Sequence, residues 1–214
     1  MNSLIGVIDN RMGNIGSIQS AFNFLKQDVL VSTNPSDLKD CVAFVLPGVG
    51  AFPQAMKNLK ESKFDKFLNH QVIEERRPFL GICLGMQLLA STSEEQAITD
   101  GLGWIDGKVI KMKEEKTYPV PHVGWNNIDV RKHKNLFNNI DENPTFYFDH
   151  SYHFIPDSKE VIVATTNYSS DVVSIIKKGN IFGTQFHPEK SQRNGLKLLR
   201  NFLNFVQEDI ITNA

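Results

Sequence analysis

Cysteine is scarce in this chain, and no run of apolar residues is long enough to cross a membrane. Two cysteines, Cys41 and Cys83, allow at most one disulfide, which a chain of 214 residues without a secretion signal does not need. No apolar stretch approaches the roughly 20 residues that span a bilayer. The first nine residues lack a basic leader and a small-residue cleavage site, so we expect a first strand there and a cytoplasmic location.

An excess of charge of one sign is also missing. The formal net charge is −1, which gives no reason to expect a nucleic-acid surface or electrostatic attraction to membranes. Hydrophobic residues make up 41% and charged residues 22%, as in ordinary globular proteins. The sequence shows no repeat, low-complexity tract or linker, so we expect one domain over residues 1–214.

Short apolar runs alternate with helical spacing in the first half of the chain. Strands are predicted there at 4–9, 29–31, 43–46 and 78–82, and helices at 15–27, 53–60, 62–75 and 84–91. Further strands are predicted at 107–112, 123–130, 145–149, 161–166, 172–178 and 181–184, before an amphipathic helix at 191–207. This alternation predicts an α/β protein with a largely parallel central sheet.

The segment Gly81-Ile82-Cys83-Leu84-Gly85 lies where a predicted strand meets a predicted helix. It is the cysteine version of the G-x-S-x-G nucleophile elbow, in which glycines let strand and helix approach closely. An elbow holds its nucleophile at the carboxyl edge of the sheet, and the N–H groups of the following helix favour the thiolate. The alternative is a buried cysteine between two packing glycines. For Cys41, at the edge of an apolar strand, we expect only a small buried hydrophobe.

A thiol nucleophile needs a base, and His187 is the best candidate among six histidines. Residues i and i+2 of an extended segment project from the same face, so Glu189 is placed to hydrogen-bond His187. Such a carboxylate fixes the tautomer of the base, as the third member of a triad does. The alternative is a surface histidine with a carboxylate nearby.

Acyl transfer also needs an oxyanion hole. The N–H of Leu84, directly after the nucleophile, is the natural first donor. The loop Pro47-Gly48-Val49-Gly50 is a candidate for the second, because its glycines permit unusual backbone conformations. Taken alone, this loop is equally typical of an ordinary turn between a strand and a helix.

Together these segments resemble the class I (triad-type) glutamine amidotransferases, in the order P-G-x-G, G-x-C-x-G-x-Q and F-H-P-E. Within that family the chain is similar to the glutaminase subunits of imidazole glycerol phosphate synthases. That similarity rests on the segments L-P-G-V-G-A-F at 46–52, P-H-V-G-W-N at 121–126 and Q-F-H-P-E-K-S-Q at 185–192, together with Gly13-Asn14 and His150-Ser151-Tyr152. The resemblance covers nearly the whole chain and implies the single-domain, flavodoxin-like amidotransferase fold with helices on both faces of the sheet.

The resemblance implies a role for each site residue. Cys83 attacks the glutamine carboxamide to form a glutamyl thioester, His187 transfers protons and Glu189 orients His187. The implied oxyanion donors are Gly50 and Leu84. The implied substrate-binding residues are Gly48, Gln87, Ser151, Tyr152 and Glu95, the last expected near the end of the helix that follows Cys83. The implied partner interface and ammonia exit contain Asn14, Trp125 and Lys190.

The resemblance also implies a partner, a (β/α)₈ cyclase subunit that forms a heterodimer with this chain. Ammonia would cross to the cyclase without meeting bulk water and serve imidazole glycerol phosphate and AICAR formation in histidine biosynthesis. We expect no metal, no cofactor, no nucleic acid and no membrane contact.

Two departures from the family pattern leave the partner open. Asn10-Arg11 stands where Tyr-Gly is common, and Asp149 stands where an apolar residue, often Val, is usual. A paralogous subunit that supplies ammonia to a sugar-modifying synthase for surface polysaccharide is therefore an alternative. Two further alternatives are a cysteine-elbow hydrolase or chaperone-like protein of the same sheet type, and a non-catalytic structural partner of the synthase.

Overall fold

A computed structural model describes residues 4–132 and 134–213 of the chain. The helices are α1 (Ile15–Phe24), α2 (Phe52–Glu61), α3 (Phe64–Leu68), α4 (Leu84–Gln87) and α5 (Gln192–Asn213). The strands are β1 (Ile5–Ile8), β2 (Val29–Ser32), β3 (Ala43–Gly48), β4 (Phe79–Cys83), β5 (Thr92–Ser93), β6 (Thr99–Asp100), β7 (Gly107–Lys111), β8 (His122–Asn127), β9 (Asp129–Val130), β10 (Thr145–His150), β11 (Tyr152–Pro156), β12 (Ile162–Asn167), β13 (Asp171–Lys178) and β14 (Ile181–Thr184).

The central sheet has eight strands in the order β2-β1-β3-β4-β14-β13-β12-β9. Its first five strands are parallel, which confirms the predicted α/β sheet. The last three strands extend the sheet in antiparallel fashion. This extension was not predicted, although β12 and β13 were located. Only two residues, Gly179 and Asn180, join β13 to β14, and so short a connection requires a hairpin.

Helices cover both faces of the sheet because successive residues of its central strands are apolar on either side. On one face Val7, Val45 and Ile82 pack in a core that also receives residues of α1 and α5. On the other face Ile8, Phe44 and Leu46 pack with residues of α2 and α3. Burial on both faces explains why these strands appear in the sequence as continuous apolar runs.

Helix α4 is shorter than the sequence predicts. A helix through residue 91 is wrong, since α4 is the single turn Leu84–Gln87. The N–H groups that would continue it bond elsewhere, since the Ala90 N–H donates to Gln87 O at 3.0 Å, only three residues back, and the Ser91 N–H donates to Gly107 O at 3.0 Å. Tertiary pairing therefore replaces the helical ladder, and the dipole of so short a helix adds little at Cys83.

Three strands, β5, β6 and β11, escaped the sequence analysis, and all three belong to a small second sheet of order β11-β7-β5-β6 with the predicted β7. Strands β5 and β6 have two residues each, too few for a periodic pattern. The third, β11, follows β10 after Ser151 alone. Strand β8 pairs with β10 as a separate ribbon. Among the described residues, the structure contains no helix with the length and apolar character needed to cross a membrane.

Candidate active site

Cys83 ends strand β4 in a strained conformation, with φ 54° and ψ −109°. A positive φ is rare for a residue with a side chain and is typical of positions held for function. The two flanking glycines make the turn possible. A Cβ on Gly81 would lie 2.5 Å from the Gly85 carbonyl oxygen, and one on Gly85 would lie 1.8 Å from the Leu46 carbonyl oxygen. The G-x-C-x-G pattern is thus required by the close approach of β3, β4 and α4.

His187 and Glu189 form a buried pair beside this turn. The distance from His187 Nδ1 to Glu189 Oε1 is 2.8 Å. The Ser191 hydroxyl donates to the His187 carbonyl at 2.6 Å and accepts from the Tyr147 N–H at 2.9 Å. Tyr147 O in turn accepts from the His187 N–H at 2.9 Å. Ser191 thus holds the segment around His187 against β10. The sequence analysis included Ser191 only as part of a motif.

The other ring nitrogen of His187 interacts with Cys83 chiefly through charge. Nε2 is buried and makes no hydrogen bond of normal geometry within the described residues, although the Cys83 sulfur is close enough to affect it. Burial lowers the pKa of His187, but the negative charge and contact of Cys83 and the Glu189 carboxylate outweigh burial and raise it to about 10. The site therefore suits a thiolate–imidazolium pair.

The second thiol has a different environment. Cys41 is fully buried in an apolar cluster between β3 and the helices of one face. Burial raises its pKa to about 11, which keeps the thiol neutral at physiological pH. Cys41 therefore has the surroundings of a packing residue.

Two glutamines lie beneath the nucleophile. Gln87 Nε2 donates to Tyr152 O at 2.8 Å and to Gln185 Oε1 at 3.0 Å. Gln185 Nε2 lies 3.7 Å from Cys83 Sγ, and the thiol faces Asp149 O at 3.8 Å. The sequence analysis gave Gln87 a substrate contact and missed Gln185. The spacing of two residues that singled out Glu189 also places Gln185 on the same side as His187.

The loop after β3 lies next to the elbow, where Gly48 is in register with Cys83. The Val49 N–H donates to Met12 O at 2.7 Å, so in this state it is not free to serve an oxyanion. Gly50 has φ 96°, a conformation that glycine adopts easily. Leu84, the other predicted donor, is the first residue of α4 and directly follows the nucleophile.

Glu95 does not lie near the end of the helix that follows Cys83, and that expectation is wrong because α4 stops at Gln87. It lies in the loop between β5 and β6, where its N–H donates to Ser93 Oγ at 3.1 Å. Its Oε2 accepts from the Phe52 N–H at 2.8 Å, at the start of α2. Since Phe52 follows the Pro47–Gly50 loop closely, Glu95 still lies beside the predicted oxyanion segment.

Ser151 joins β10 to β11 and Tyr152 is the first residue of β11, and the carbonyl groups of both already have partners. Ser151 O accepts from Met112 N at 2.9 Å. Tyr152 O accepts from Gln87 and also lies 2.8 Å from His150 Nδ1. These contacts fix the pocket wall next to Cys83.

Two of the three predicted interface residues flank one ring. The Trp125 and Tyr147 rings lie 6.1 Å apart, and Lys190 Nζ lies 5.6 Å from the centre of the Tyr147 ring. Trp125 is 48% exposed and Val123 54% exposed, so this face of the β8–β10 ribbon presents apolar surface. Asn14, the third residue, accepts from Ser17 N at 3.3 Å and caps helix α1, which contacts the turn containing Lys190.

Three buried histidines form a cluster, His122 on β8, His150 on β10 and His153 on β11. The sequence analysis did not predict this cluster. His122 Nδ1 lies 3.1 Å from His150 Nε2, and the His122 ring stacks between Phe148 and Tyr168. Burial lowers the pKa of His122 to about 4 and that of His150 to about 3, and it also lowers the pKa of His153. All three are therefore neutral at physiological pH.

The α/β sheet, the strained cysteine at a strand end and the buried His–Glu pair just after the neighbouring strand β14 define the class of α/β proteins built for cysteine-based acyl transfer. Residues 6–205 match the family model of the class-I glutamine amidotransferases, and the chain belongs to this family.

The similarity to individual relatives extends over nearly the whole chain. It is 44% identical over 204 residues to "Imidazole glycerol phosphate synthase subunit HisH 2" of Vibrio vulnificus, covering 95% of each chain. It is 45% identical over 203 residues to the HisH subunit of Methanocaldococcus jannaschii, covering 95% of this chain and 100% of the relative.

Solved structures of lower identity share the fold. A GMP synthase protein from Thermoplasma acidophilum superposes with a TM-score of 0.77 at 21% identity, covering 100% of this chain and 98% of that one. The PurLQS structure from Thermotoga maritima gives 0.75 at 17% identity, covering 96% of this chain and 100% of that one. At such identities the likeness concerns the fold alone.

Proposed function

We propose that this chain is the glutaminase subunit of an imidazole glycerol phosphate synthase in histidine biosynthesis. It hydrolyses L-glutamine to glutamate and ammonia and delivers the ammonia to a cyclase partner. The observation that carries the proposal is the buried His187–Glu189 pair beside the strained Cys83. The identity of more than 40% to HisH subunits over nearly the full length supports the same reaction and pathway.

The reaction begins with Cys83. Its thiolate attacks the carboxamide carbon of glutamine, and a C–S bond forms while the carbonyl oxygen becomes an oxyanion. The His187 imidazolium gives its proton to the amide nitrogen, the C–N bond breaks and ammonia leaves, so that a glutamyl thioester remains. His187 then takes a proton from water, the hydroxide attacks the thioester, and glutamate and the Cys83 thiolate are released with His187 again protonated.

Glu189 contributes by orientation and charge. Its hydrogen bond to Nδ1 turns Nε2 toward Cys83 and stabilises the imidazolium that each cycle regenerates. Gly50 and Leu84 are the proposed oxyanion donors. In this state the neighbouring Val49 N–H is bonded to Met12 O and holds the loop, and we propose that release of this bond lets the Gly50 N–H turn toward the oxyanion.

The proposed glutamine pocket is formed by Gly48, Gln87, Glu95, Ser151 and Tyr152. Glu95 offers a carboxylate to the α-ammonium group, since only one of its oxygens is bonded to the Phe52 N–H. Gln87 and Tyr152 are already joined by a hydrogen bond of 2.8 Å, which fixes the wall nearest the sulfur. Such preformed contacts hold the carboxamide in line with Cys83.

The proposed partner surface is the exposed face of the β8–β10 ribbon that carries Trp125, together with Lys190 and the start of α1 at Asn14. A (β/α)₈ cyclase seated there would form a heterodimer and cover the site, so that ammonia leaves toward the acceptor. We also propose that residues 1–214 act as one amidotransferase domain and that the complex is cytoplasmic.

Reconstitution tests the proposal. The chain is purified with the cyclase subunit from the same organism, and glutamate and AICAR are measured with glutamine as the nitrogen source. We expect both products in equal amounts. Glutaminase activity that responds only to a sugar-modifying synthase would contradict the histidine pathway and favour the paralogous alternative. Failure of the complex to turn over any glutamine would favour the non-catalytic partner.

A further inference from the structure

The hydrogen bonds around Gln87 fix the orientation of the Gln185 side chain. Tyr152 O is a carbonyl oxygen and can only accept, so the atom of Gln87 that lies 2.8 Å from it must be the NH₂ group. The same NH₂ lies 3.0 Å from Gln185, and the facing atom of Gln185 must therefore be its oxygen. It follows that the Gln185 NH₂ is the group that lies 3.7 Å from Cys83 Sγ.

Besides His187, the sulfur has two neighbours with opposite preferences. Asp149 O, at 3.8 Å, can only accept a hydrogen bond, so it favours the neutral thiol. Gln185 Nε2 can only donate, so it favours the thiolate. Gln185 is fully buried and Gln87 nearly so, which means that no water competes for these bonds.

We propose that Gln185 is a further catalytic residue, whose side-chain N–H donates to the Cys83 thiolate, and that Gln87 orients Gln185 for this contact. The inference rests on the proposed function in that it assigns Gln185 to the thiolate which attacks glutamine. Gln87 then has a task that is separate from binding substrate, because its NH₂ holds the Gln185 amide in the donating orientation.

The reactivity of the thiol at different pH values tests the proposal without any need for glutamine turnover. The parent chain carries Cys41→Ala, so that Cys83 is the only thiol. Alkylation by iodoacetamide is followed from pH 5 to 10 in the parent, in Gln185→Glu and in Gln185→Met. Glu keeps an oxygen for the bond from Gln87 and changes only the atom that faces sulfur.

For Gln185→Glu we expect the alkylation profile to move to higher pH by about one unit, equivalent to a rate roughly tenfold lower near neutral pH. For Gln185→Met, which loses the donor without adding charge, we expect a smaller shift in the same direction. Gln54→Glu, the same change on the exposed surface of α2, is the control and should leave the profile unchanged. Circular dichroism confirms that the variants are folded.

A second measurement avoids substitution of Gln185. In the ¹⁵N-labelled parent, the Gln185 NH₂ resonances should shift across the pH range in which alkylation rises, and this shift should vanish in Cys83→Ala. Superimposed alkylation profiles of parent and Gln185 variants, or Gln185 resonances that titrate unchanged without the thiol, would overturn the inference. Neither result bears on glutamine hydrolysis by the parent, which tests the proposed function separately.

Discussion

Glu189 Oε1 lies 2.8 Å from His187 Nδ1, and the side chains of both residues are only 3% exposed. Water cannot replace this contact, so the carboxylate fixes the ring and, together with the charge of Cys83, balances its positive charge. The remaining Glu189 oxygen is buried without a hydrogen-bond partner among the described residues. The bond to His187 therefore stabilises the buried carboxylate, just as the carboxylate stabilises the protonated His187 ring.

Glu189→Gln should lower kcat more than it raises KM, because Gln cannot stabilise the imidazolium. In a serine protease the loss of the orienting group costs up to ~10⁴-fold, and a cysteine enzyme should lose less because thiolate is the better nucleophile. Steady-state glutaminase kinetics of the reconstituted complex measure the effect. A variant with the kcat of the parent would show that Glu189 has no catalytic role.

Cys83→Ala should abolish glutamine hydrolysis and leave folding and partner binding nearly unchanged, since the residue contributes only its sulfur to the core. Cys41→Ala is the matched control. Its neutral, fully buried thiol takes no part in chemistry, so the enzyme should keep most of its activity and lose some stability through the cavity. Glutamate release by the purified complexes provides the comparison. Substantial turnover by the Cys83 variant would refute the assigned nucleophile.

The free subunit should be nearly inactive, because the bond from the Val49 N–H to Met12 O holds the loop that must turn the Gly50 N–H, the proposed donor, toward the oxyanion. Since one such donor is worth ~10²–10³ in rate, a partner with bound acceptor should raise kcat by at least that order when it turns the Val49 peptide. Glutaminase turnover with and without partner and ligand measures the change. Full activity of the isolated chain would exclude this form of gating and leave the triad assignment standing.

Stability should decline on the acid side because of the buried histidines. The pKa values of His122 and His150 fall from 6.5 to about 4 and about 3 on burial. Below pH 6.5 the unfolded chain takes up protons that the folded chain refuses, so the free energy of unfolding falls as pH falls. Each such histidine contributes a slope of up to ~1.4 kcal/mol per pH unit.

His122→Phe keeps the stacking position and removes one titrating group, so the slope between pH 6 and 4.5 should decrease by about one histidine's share. Urea unfolding at several pH values measures it, and exposed His70→Gln is the control. His187 acts in the opposite sense. Its pKa is raised to about 10, so its contribution is complete below pH 6.5 and is lost as pH rises toward 10. An unchanged acid slope in His122→Phe would contradict the assignment.

The sequence predicted the parallel half of the sheet well because local patterns carry that information. The runs that became β1, β3 and β4 are apolar on both faces, and the glycines around Cys83 are dictated by backbone contacts that admit no Cβ. The length of α4 could not be predicted in this way. It depends on a partner further along the chain, because the Ser91 N–H donates to Gly107 O and so leaves the helical ladder.

The parts of the site that sequence reasoning missed depend on partners far away in the chain. Gln185 gains its significance from Gln87, 98 residues earlier, and from a backbone carbonyl of β11, a strand that was not predicted. The histidine cluster likewise forms because β8 and β10 pair. Glu95 was recognised as a residue but misplaced, since its position follows from the end of α4.

The pairing of β4 with β14 also governs when this enzyme becomes active during its own production. Cys83 and Gln185 are 102 residues apart in the chain, yet they adjoin because these strands are neighbours in the sheet. Contacts of such sequence separation form slowly, because a long segment must be ordered to close the loop. At a synthesis rate of about 5–20 residues per second, Cys83 is made roughly 5–20 s before its base His187. An unfinished chain therefore has the nucleophile without its base and should not hydrolyse glutamine.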